Sequence, residues 1–529
     1  MSAPFNAADY LVHRHARGET GRGDHVAVCG SNQQLTYAQL SDLVHSVSAG
    51  LLSLGLRRDD RVVLVMSDDV AMLATILGAF DAGLVAVPVS TMLNASELTK
   101  ILDDSGARAV AVTPEFASVV AAAAANVPQL RHVIHAGDAS PFVTNARLAL
   151  HEFDELAYSG TAGDRTSVPT TDDSWALWLY TSGTTGTPKA AMHRHANIRH
   201  VCESYASQVL GITPEDRTLS VAKMFFAYGI GNSVFFPLSV GASTILEPRR
   251  PTPDVIAERV LETEPTLLFC VPTFYAALVA SELPDTTFGS VRLAASAGEP
   301  LPAPLQARFT DRFGVQVLDG IGSTEALHIF LSNAPGDIRP GTTGKPVPGY
   351  DIEIRDSSGA IVEPGQPGAL FVRGDSIALG YWRQTDASRQ VFQGAWLSTG
   401  DTYVQDEDGY YQCLGRNGDM LKAGGIWVSP AEVESRLLEH PAVRQAAVIG
   451  VPDENDLDKP LAVVVATGVT GQELISWCRD GLAHFKAPRN VFFADDLPKT
   501  ATGKLQRFKV REMLAPEALS ESADAGVVS

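Results

Sequence analysis

The sequence predicts an α/β protein: a large amino-terminal domain of two packed α/β subdomains with a small β-barrel-like part, then a small α+β carboxy-terminal domain. Three observations predict it. Over the first part of the chain, short runs rich in Val, Leu and Ala alternate with amphipathic stretches, the rhythm of a mostly parallel sheet. After Gly344 the texture changes to short alternating segments separated by Gly- and Asp-rich turns, which marks antiparallel pairing. Beyond Arg416 the mixed pattern returns for about 110 residues, the size of an independent fold. At 529 residues the chain is too long for one core.

In order, residues 35–40 open a helix with Thr36 as its cap, and 61–66 and 85–89 read as core strands around a helix at 70–80. A helix at 98–104 and a strand at 107–112 repeat the rhythm. A loop-rich stretch at 160–173 leads into 175–180, an apolar run read as a buried strand, whereas 190–195 turns polar and reads as a loop. The rhythm resumes with a helix at 255–263 and strands at 266–271 and 291–295. Segments 350–355, 368–373 and 409–414 read as antiparallel strands, in an open sheet or a small barrel. The last unit has helices at 430–440 and 473–482 and strands at 446–451 and 461–466. Residues 515–529 are small, polar and acidic, and are expected to be poorly ordered.

Bulk properties exclude several functions. A formal charge of −20 argues against a nucleic-acid-binding surface, which needs clustered Lys and Arg. Any polyanion must therefore be held by local donors. Cys29, Cys202, Cys270, Cys413 and Cys478 make no metal-ligand spacing and read as reduced, mostly structural residues. The first ten residues lack the basic and apolar regions of a signal peptide. The apolar stretch 70–89 is interrupted by Gly78, Asp81, Gly83 and Pro88, which favours helix then strand over a membrane span. A soluble, cytoplasmic protein is expected.

The stretch that organises the rest is Tyr180-Thr-Ser-Gly-Thr-Thr-Gly-Thr-Pro-Lys189. Thr181, Ser182, Thr184 and Thr185 alternate with Gly183 and Gly186, so the backbone can approach an anion with amides and hydroxyls turned inward and Lys189 beside them. That is a phosphate cradle, although a Gly/Ser/Thr linker has similar composition. It lacks the spacing of a Walker loop. Taken in this order, the stretch resembles the loop of the adenylate-forming superfamily, the acyl-CoA synthetases and their relatives, which contacts the phosphates of ATP.

Further motifs extend the resemblance. Gly320-Ile321-Gly322-Ser323-Thr324-Glu325 resembles a second signature, which implies Thr324 on the α-phosphate and Glu325 on Mg²⁺. The chemistry suits both, since a hard cation wants a carboxylate and a phosphate oxygen wants a neutral donor. Taken alone, Thr-Glu is more often a helix cap. Ala297-Gly298-Glu299 and Asp319 match positions that wall the adenine and meet its amino group. Asp401 matches a carboxylate that binds ribose, and Arg416 a partner of phosphate or ribose at a domain junction. Lys504 matches the lysine that is catalytic in adenylation. The resemblance makes residues 1–417 an adenylation domain and 418–529 a domain that rotates about a hinge near 416–419. Relatives commonly carry an aspartate where this chain has Gly418, which keeps backbone freedom but loses a side-chain contact.

Gly424 and Gly425 resemble the turn that borders the pantetheine arm of coenzyme A, and Phe485, Lys486 and Arg489 a segment at its nucleotide end. A plain turn and a basic domain-closing segment fit the same residues. Phe226, Ala227, Tyr228 and Gly229, with His328 and Ile329, resemble the benzoate-CoA ligase branch, in which they shape a flat aromatic slot; aromatics at 225–228 are equally ordinary core residues. The resemblance implies an ATP-, Mg²⁺- and coenzyme A-dependent ligase of benzoate or a small substituted benzoate, acting as a monomer or homodimer. Two alternatives remain at this stage: loading of an acyl carrier protein, and a catalytically silent nucleotide- or acyl-binding module.

Overall fold

The computed structural model describes residues 3–142, 145–159, 167–182, 188–416, 421–423, 426–452, 458–483, 486–499 and 505–514. A seven-stranded sheet runs Ala149–Glu152, His132–His135, Ala109–Val112, Arg61–Val65, Val85–Pro88, Trp175–Ser182, Pro188–Arg194. Its neighbours are parallel as far as Trp175–Ser182, because helices such as Val70–Asp81 and Ala95–Ser105 carry the chain back across the sheet between strands. These helices start where the sequence places a cap. Thr36 accepts from Gln39 N–H ahead of helix Tyr37–Ser53, and Asn94 does the same with Glu97, both in reciprocal capping boxes.

The last pair of this sheet corrects the sequence reading. Residues 190–194, expected as a polar loop, belong to strand Pro188–Arg194, which pairs antiparallel with Trp175–Ser182. Ala190 and Ala191 are fully buried on opposite faces of the strand, so a polar-looking segment is packed on both sides. The hairpin sets Thr181 opposite Lys189 and Ser182 opposite Pro188, so the ends of the phosphate-cradle motif are held side by side.

A nine-stranded sheet forms the second subdomain, centred on Arg217–Ser220, Leu267–Cys270, Leu293–Ser296 and Val317–Gly322 in parallel. The amino-terminal strand Val26–Cys29 joins it by pairing with Ser243–Ile245, and Gln34–Thr36 pairs with Val26–Cys29 at the edge, although in sequence both precede the first subdomain. One core serves both sheets, since Val62, Leu64 and Ala86 of the first cluster with Leu267, Phe269 and Leu318 of the second. A buried clasp adds to it: Asp81 meets His13 Nε2 at 3.1 Å and His45 Nδ1 at 3.3 Å, and the two imidazoles stack at 3.8 Å.

A five-stranded antiparallel sheet follows, built on Asp351–Arg355, Gly368–Arg373, Phe392–Gln393, Trp396–Gln405 and Tyr411–Arg416. The carboxy-terminal part has a sheet of Val443–Pro452, Asp458–Ala466 and Val491–Phe493 with helices Pro430–Leu438 and Gly471–Gly481, an α+β unit with its own core. Among the described residues no helix is long and apolar enough to cross a membrane, and the five cysteines are unpaired thiols.

Candidate functional site

In an open parallel sheet, ligands sit beyond the carboxyl ends of strands where the strand order reverses. In the nine-stranded sheet that reversal lies between Arg217–Ser220 and Leu267–Cys270. The segments leaving this edge carry the expected residues: 221–229, 297–300 and 323–326. Asp68, just past the end of Arg61–Val65 in the other sheet, reaches across and accepts from Met224 N–H at 2.9 Å. Burial pushes the Asp68 carboxyl up to about 6.

The glycines of Gly320-Ile321-Gly322 are dictated by strand approach. A Cβ on Gly320 would lie 2.8 Å from Leu331 O, and one on Gly322 2.3 Å from His328 O. This tight hairpin presents Ser323, Thr324 and Glu325 at its bend, where the Ser323 hydroxyl accepts from Ala326 N–H. The bend is strained, since Leu327 is buried with φ +67°.

Three consecutive carbonyls of the bend are each held by a different donor. His193 Nε2 donates to Thr324 O at 2.8 Å, Ala378 N–H to Glu325 O at 2.8 Å, and the Ser376 hydroxyl to Ala326 O at 2.7 Å. The His193 tautomer follows from its partners. Arg194 Nε donates to Asn197 Oδ1, which turns Asn197 Nδ2 toward His193 Nδ1, so Nδ1 accepts and Nε2 carries the hydrogen. Burial lowers the His193 pKa to about 4, which keeps the ring neutral.

The Glu325 carboxylate is half-buried, and its Oε1 accepts from the Tyr381 hydroxyl at 2.6 Å. Burial, then the neighbouring carboxylate, raises the Tyr381 pKa far above the phenol range, so the hydroxyl stays a donor. Lys189 Nζ lies 5.6 Å from the centroid of the same ring. A half-exposed carboxylate with one oxygen committed to a neutral donor suits a hard divalent cation. These residues fit Mg²⁺.

Asp319 pairs in register with Ser296. Its carboxyl is buried, with Oδ1 unpartnered among the described residues, and burial drives its pKa well above the carboxylate range. Such a group can meet a ligand's amino group. Ala297, next to Ser296 in sequence, is buried, and Gly298 has φ +94°, which favours glycine. Glu299 Oε2 accepts from the Thr273 hydroxyl at 2.7 Å. Farther along, Asp401 faces Arg416 across a strand pair, with Arg416 Nε 3.1 Å from Asp401 Oδ1.

The residues expected to shape the acid pocket group around one aromatic cluster. Phe226, Ala227 and Tyr228 are half-buried, and the Tyr228 hydroxyl is fixed by donating to Ala295 O at 3.0 Å. His328 is buried 5.5 Å from the Tyr228 ring and 4.5 Å from Phe236, and burial lowers its pKa to about 3. Ile329, next in sequence, is also buried. Gly229 serves packing, because a Cβ there would lie 2.0 Å from Lys223 O.

Other expected residues are dispersed or lie elsewhere. Lys486 is tied to Glu432 by bonds of 2.6 and 2.7 Å, and Arg489 is exposed. Gly183, Thr184, Thr185, Gly186, Gly418, Gly424, Gly425, Phe485 and Lys504 lie outside the described residues, as does the Ser182 side chain. Sequence reasoning missed Asp68, His193, Asn197, Ser376 and Tyr381. Only His193 carried a signal, a histidine four positions from Lys189 and hence on the same face if the segment is a strand.

Comparison with known proteins bears on this arrangement. Residues 14–382 match the AMP-binding enzyme family and 432–504 the AMP-binding enzyme C-terminal domain. The chain is 42% identical over 520 residues to the benzoate–CoA ligase of Thauera aromatica, covering 96% of each chain. A solved benzoate CoA ligase from Burkholderia xenovorans superposes with a TM-score of 0.87 at 42% identity, covering 96% of this chain and 100% of that one. An anthranilate CoA ligase in complex with anthranoyl-AMP gives a TM-score of 0.90 at 37% identity, covering 97% and 98%. With the match over 14–382 embracing the clamped bend and the aromatic cluster, the chain belongs to the AMP-binding enzyme family, in its benzoate–CoA ligase branch, and is an AMP-forming aryl-acid–CoA ligase.

Proposed function

We propose that the protein activates benzoate or a small substituted benzoate with ATP and passes the acyl group to coenzyme A in the cytoplasm. The observation that carries the choice of acid is the ring-lined wall at Phe226, Ala227 and Tyr228. Tyr228 is locked by Ala295 O and backed by buried His328. A flat acid fits between rings, whereas a long acyl chain needs an open tunnel.

In the first half-reaction an oxygen of the aryl carboxylate attacks the α-phosphorus of ATP, and the bond to pyrophosphate breaks. Residues 181–186 and Lys189 hold the phosphates, Thr324 donates to the α-phosphate, and Lys504 meets the charge that develops between carboxylate and nucleotide. Mg²⁺ held at Glu325 would supply positive charge against the phosphate oxygens. Asp319 and 297–299 receive the adenine, while Asp401 and Arg416 receive the ribose. In the second half-reaction the thiol sulfur attacks the acyl carbonyl, and the carbonyl–oxygen bond to AMP breaks. We place the domain boundary at 417/418, so that rotation about 416–419 exchanges Lys504 for the turn at Gly424 and Gly425 between steps.

The test is pyrophosphate release with ATP and Mg²⁺ across benzoate, hydroxy-, amino- and chlorobenzoates, cinnamate and octanoate, each with and without coenzyme A. Fast, coenzyme A-dependent turnover on one of the benzoates is expected. Slow release unaffected by coenzyme A would move the acceptor to a carrier protein, and preference for octanoate would overturn the pocket.

A further inference from the structure

The strand that leaves the phosphate cradle also registers the bend that carries Thr324 and Glu325. Along Pro188–Arg194, residues 189, 191 and 193 share one face. The edge of this strand pairs with the segment 378–382: Leu379 N–H donates to Met192 O at 2.9 Å, Met192 N–H to Gly380 O at 3.1 Å, and Trp382 N–H to Ala190 O at 3.0 Å. Ala191 packs against Ala378 and Tyr381. The segment is thus sandwiched between the cradle strand and the bend, and Tyr381 touches both. Its ring lies beside Lys189, and its hydroxyl holds Glu325 Oε1.

We propose that Tyr381 and His193 are positioning residues for the adenylation step: Tyr381 aims the Glu325 carboxylate, and His193 fixes the Thr324 carbonyl, each tying the bend to the phosphate-binding strand. A carboxylate side chain has several rotamers, and a hydrogen bond to one oxygen narrows them while leaving the other oxygen to a cation. The Leu327 strain is retained because these donors over-determine the bend. The inference rests on Glu325 as the metal-facing carboxylate, and the experiment separates the two.

Affinity for the non-cleavable analogue α,β-methylene-ATP is measured by titration calorimetry, with Mn²⁺ and with a chelator. Tyr381→Phe is expected to weaken binding about tenfold with Mn²⁺ and to leave the metal-free affinity unchanged, the scale of one hydrogen bond to a charged group. Glu325→Gln should erase the metal dependence; if it does not, the reading of Glu325 fails. If Glu325→Gln erases it and Tyr381→Phe binds as the wild type does, the positioning role is overturned. In turnover, His193→Ala should slow aryl-adenylate formation and spare thioester formation from supplied aryl adenylate, and His193→Gln, which keeps an N–H donor, should restore part of the loss. Equal losses in both half-reactions would remove the role of His193.

Discussion

The two walls of the site are built on different physics. On the nucleotide side, the carbonyls of Thr324, Glu325 and Ala326 each accept from a donor brought by a distant segment. On the acid side, apart from the Tyr228 hydroxyl on Ala295 O and His328 Nε2 at 3.4 Å from Tyr228 O, contacts are ring against ring and backbone against missing Cβ atoms. A Cβ on Gly231 would lie 2.3 Å from His328 Cδ2, and His328 Nδ1 and the Asn232 side-chain amide have no partner among the described residues. Hydrogen bonds fix direction, and packing fixes volume. Changes on the first wall should therefore alter rate with every acid, and changes on the second should alter which acid is taken.

The largest effect tests the first half of that contrast. Lys504→Ala is expected to slow aryl-adenylate formation roughly 10²–10³-fold, the scale of one lost electrostatic stabiliser, with every acid alike. Thioester formation from supplied aryl adenylate should be largely retained. Single-turnover measurements of each half-reaction check this, and an equal loss in both would remove the role assigned to Lys504. The second half predicts selectivity. Ala227→Phe adds a ring beside Tyr228 and should discriminate against bulky substituted benzoates relative to benzoate by about 10–100-fold in kcat/KM. An unchanged profile across the acid series would mean that the slot lies elsewhere.

Legibility in the sequence follows the same division. The motifs proposed to hold the nucleotide stand out because phosphate chemistry demands particular residue types at fixed spacing, as in Gly320-Ile-Gly-Ser-Thr-Glu325, where the glycines also serve the hairpin. The alternation of helices and strands was readable for the reason that buried parallel strands are nearly continuous apolar runs, such as 61–65. Pro188–Arg194 was not. Its alternation is masked by His193 and Arg194, whose partners Thr324, Asn197 and Asp173 lie elsewhere in the chain or depend on the strand being formed. The pairing of Val26–Cys29 with the second sheet is equally invisible, being decided by contacts more than two hundred residues away. Asp68 and Tyr381 belong to this class too, for their roles exist only once two segments meet.

A smaller change probes packing by itself. Gly229→Ala leaves every hydrogen-bonding side chain in place but sets a Cβ against Lys223 O, which must shift. A cost of about 1–3 kcal/mol in urea unfolding is expected, with KM for the acid raised and KM for ATP little changed. Equal rises in both would show that the walls are mechanically one unit rather than two.

The smallest effect comes from the clasp at His13, Asp81 and His45, which belongs to neither wall and serves as the control. Burial alone would raise the Asp81 pKa, but hydrogen bonds from His13 and His45 outweigh it and hold the carboxylate below its usual range. A group whose folded pKa is depressed contributes stability that is present above its unfolded pKa and is lost as pH falls through the folded one. In urea unfolding, the wild-type midpoint should therefore drop as pH is lowered from about 5 toward about 2. Asp81→Asn should be less stable at neutral pH and should show a flatter profile in that acid window. Because the clasp touches neither wall, turnover and acid selectivity of Asp81→Asn at neutral pH should match the wild type. Parallel stability profiles would mean that Asp81 does not carry the acid-sensitive charge, and a shifted acid preference would mean that the core transmits strain from the clasp to the slot.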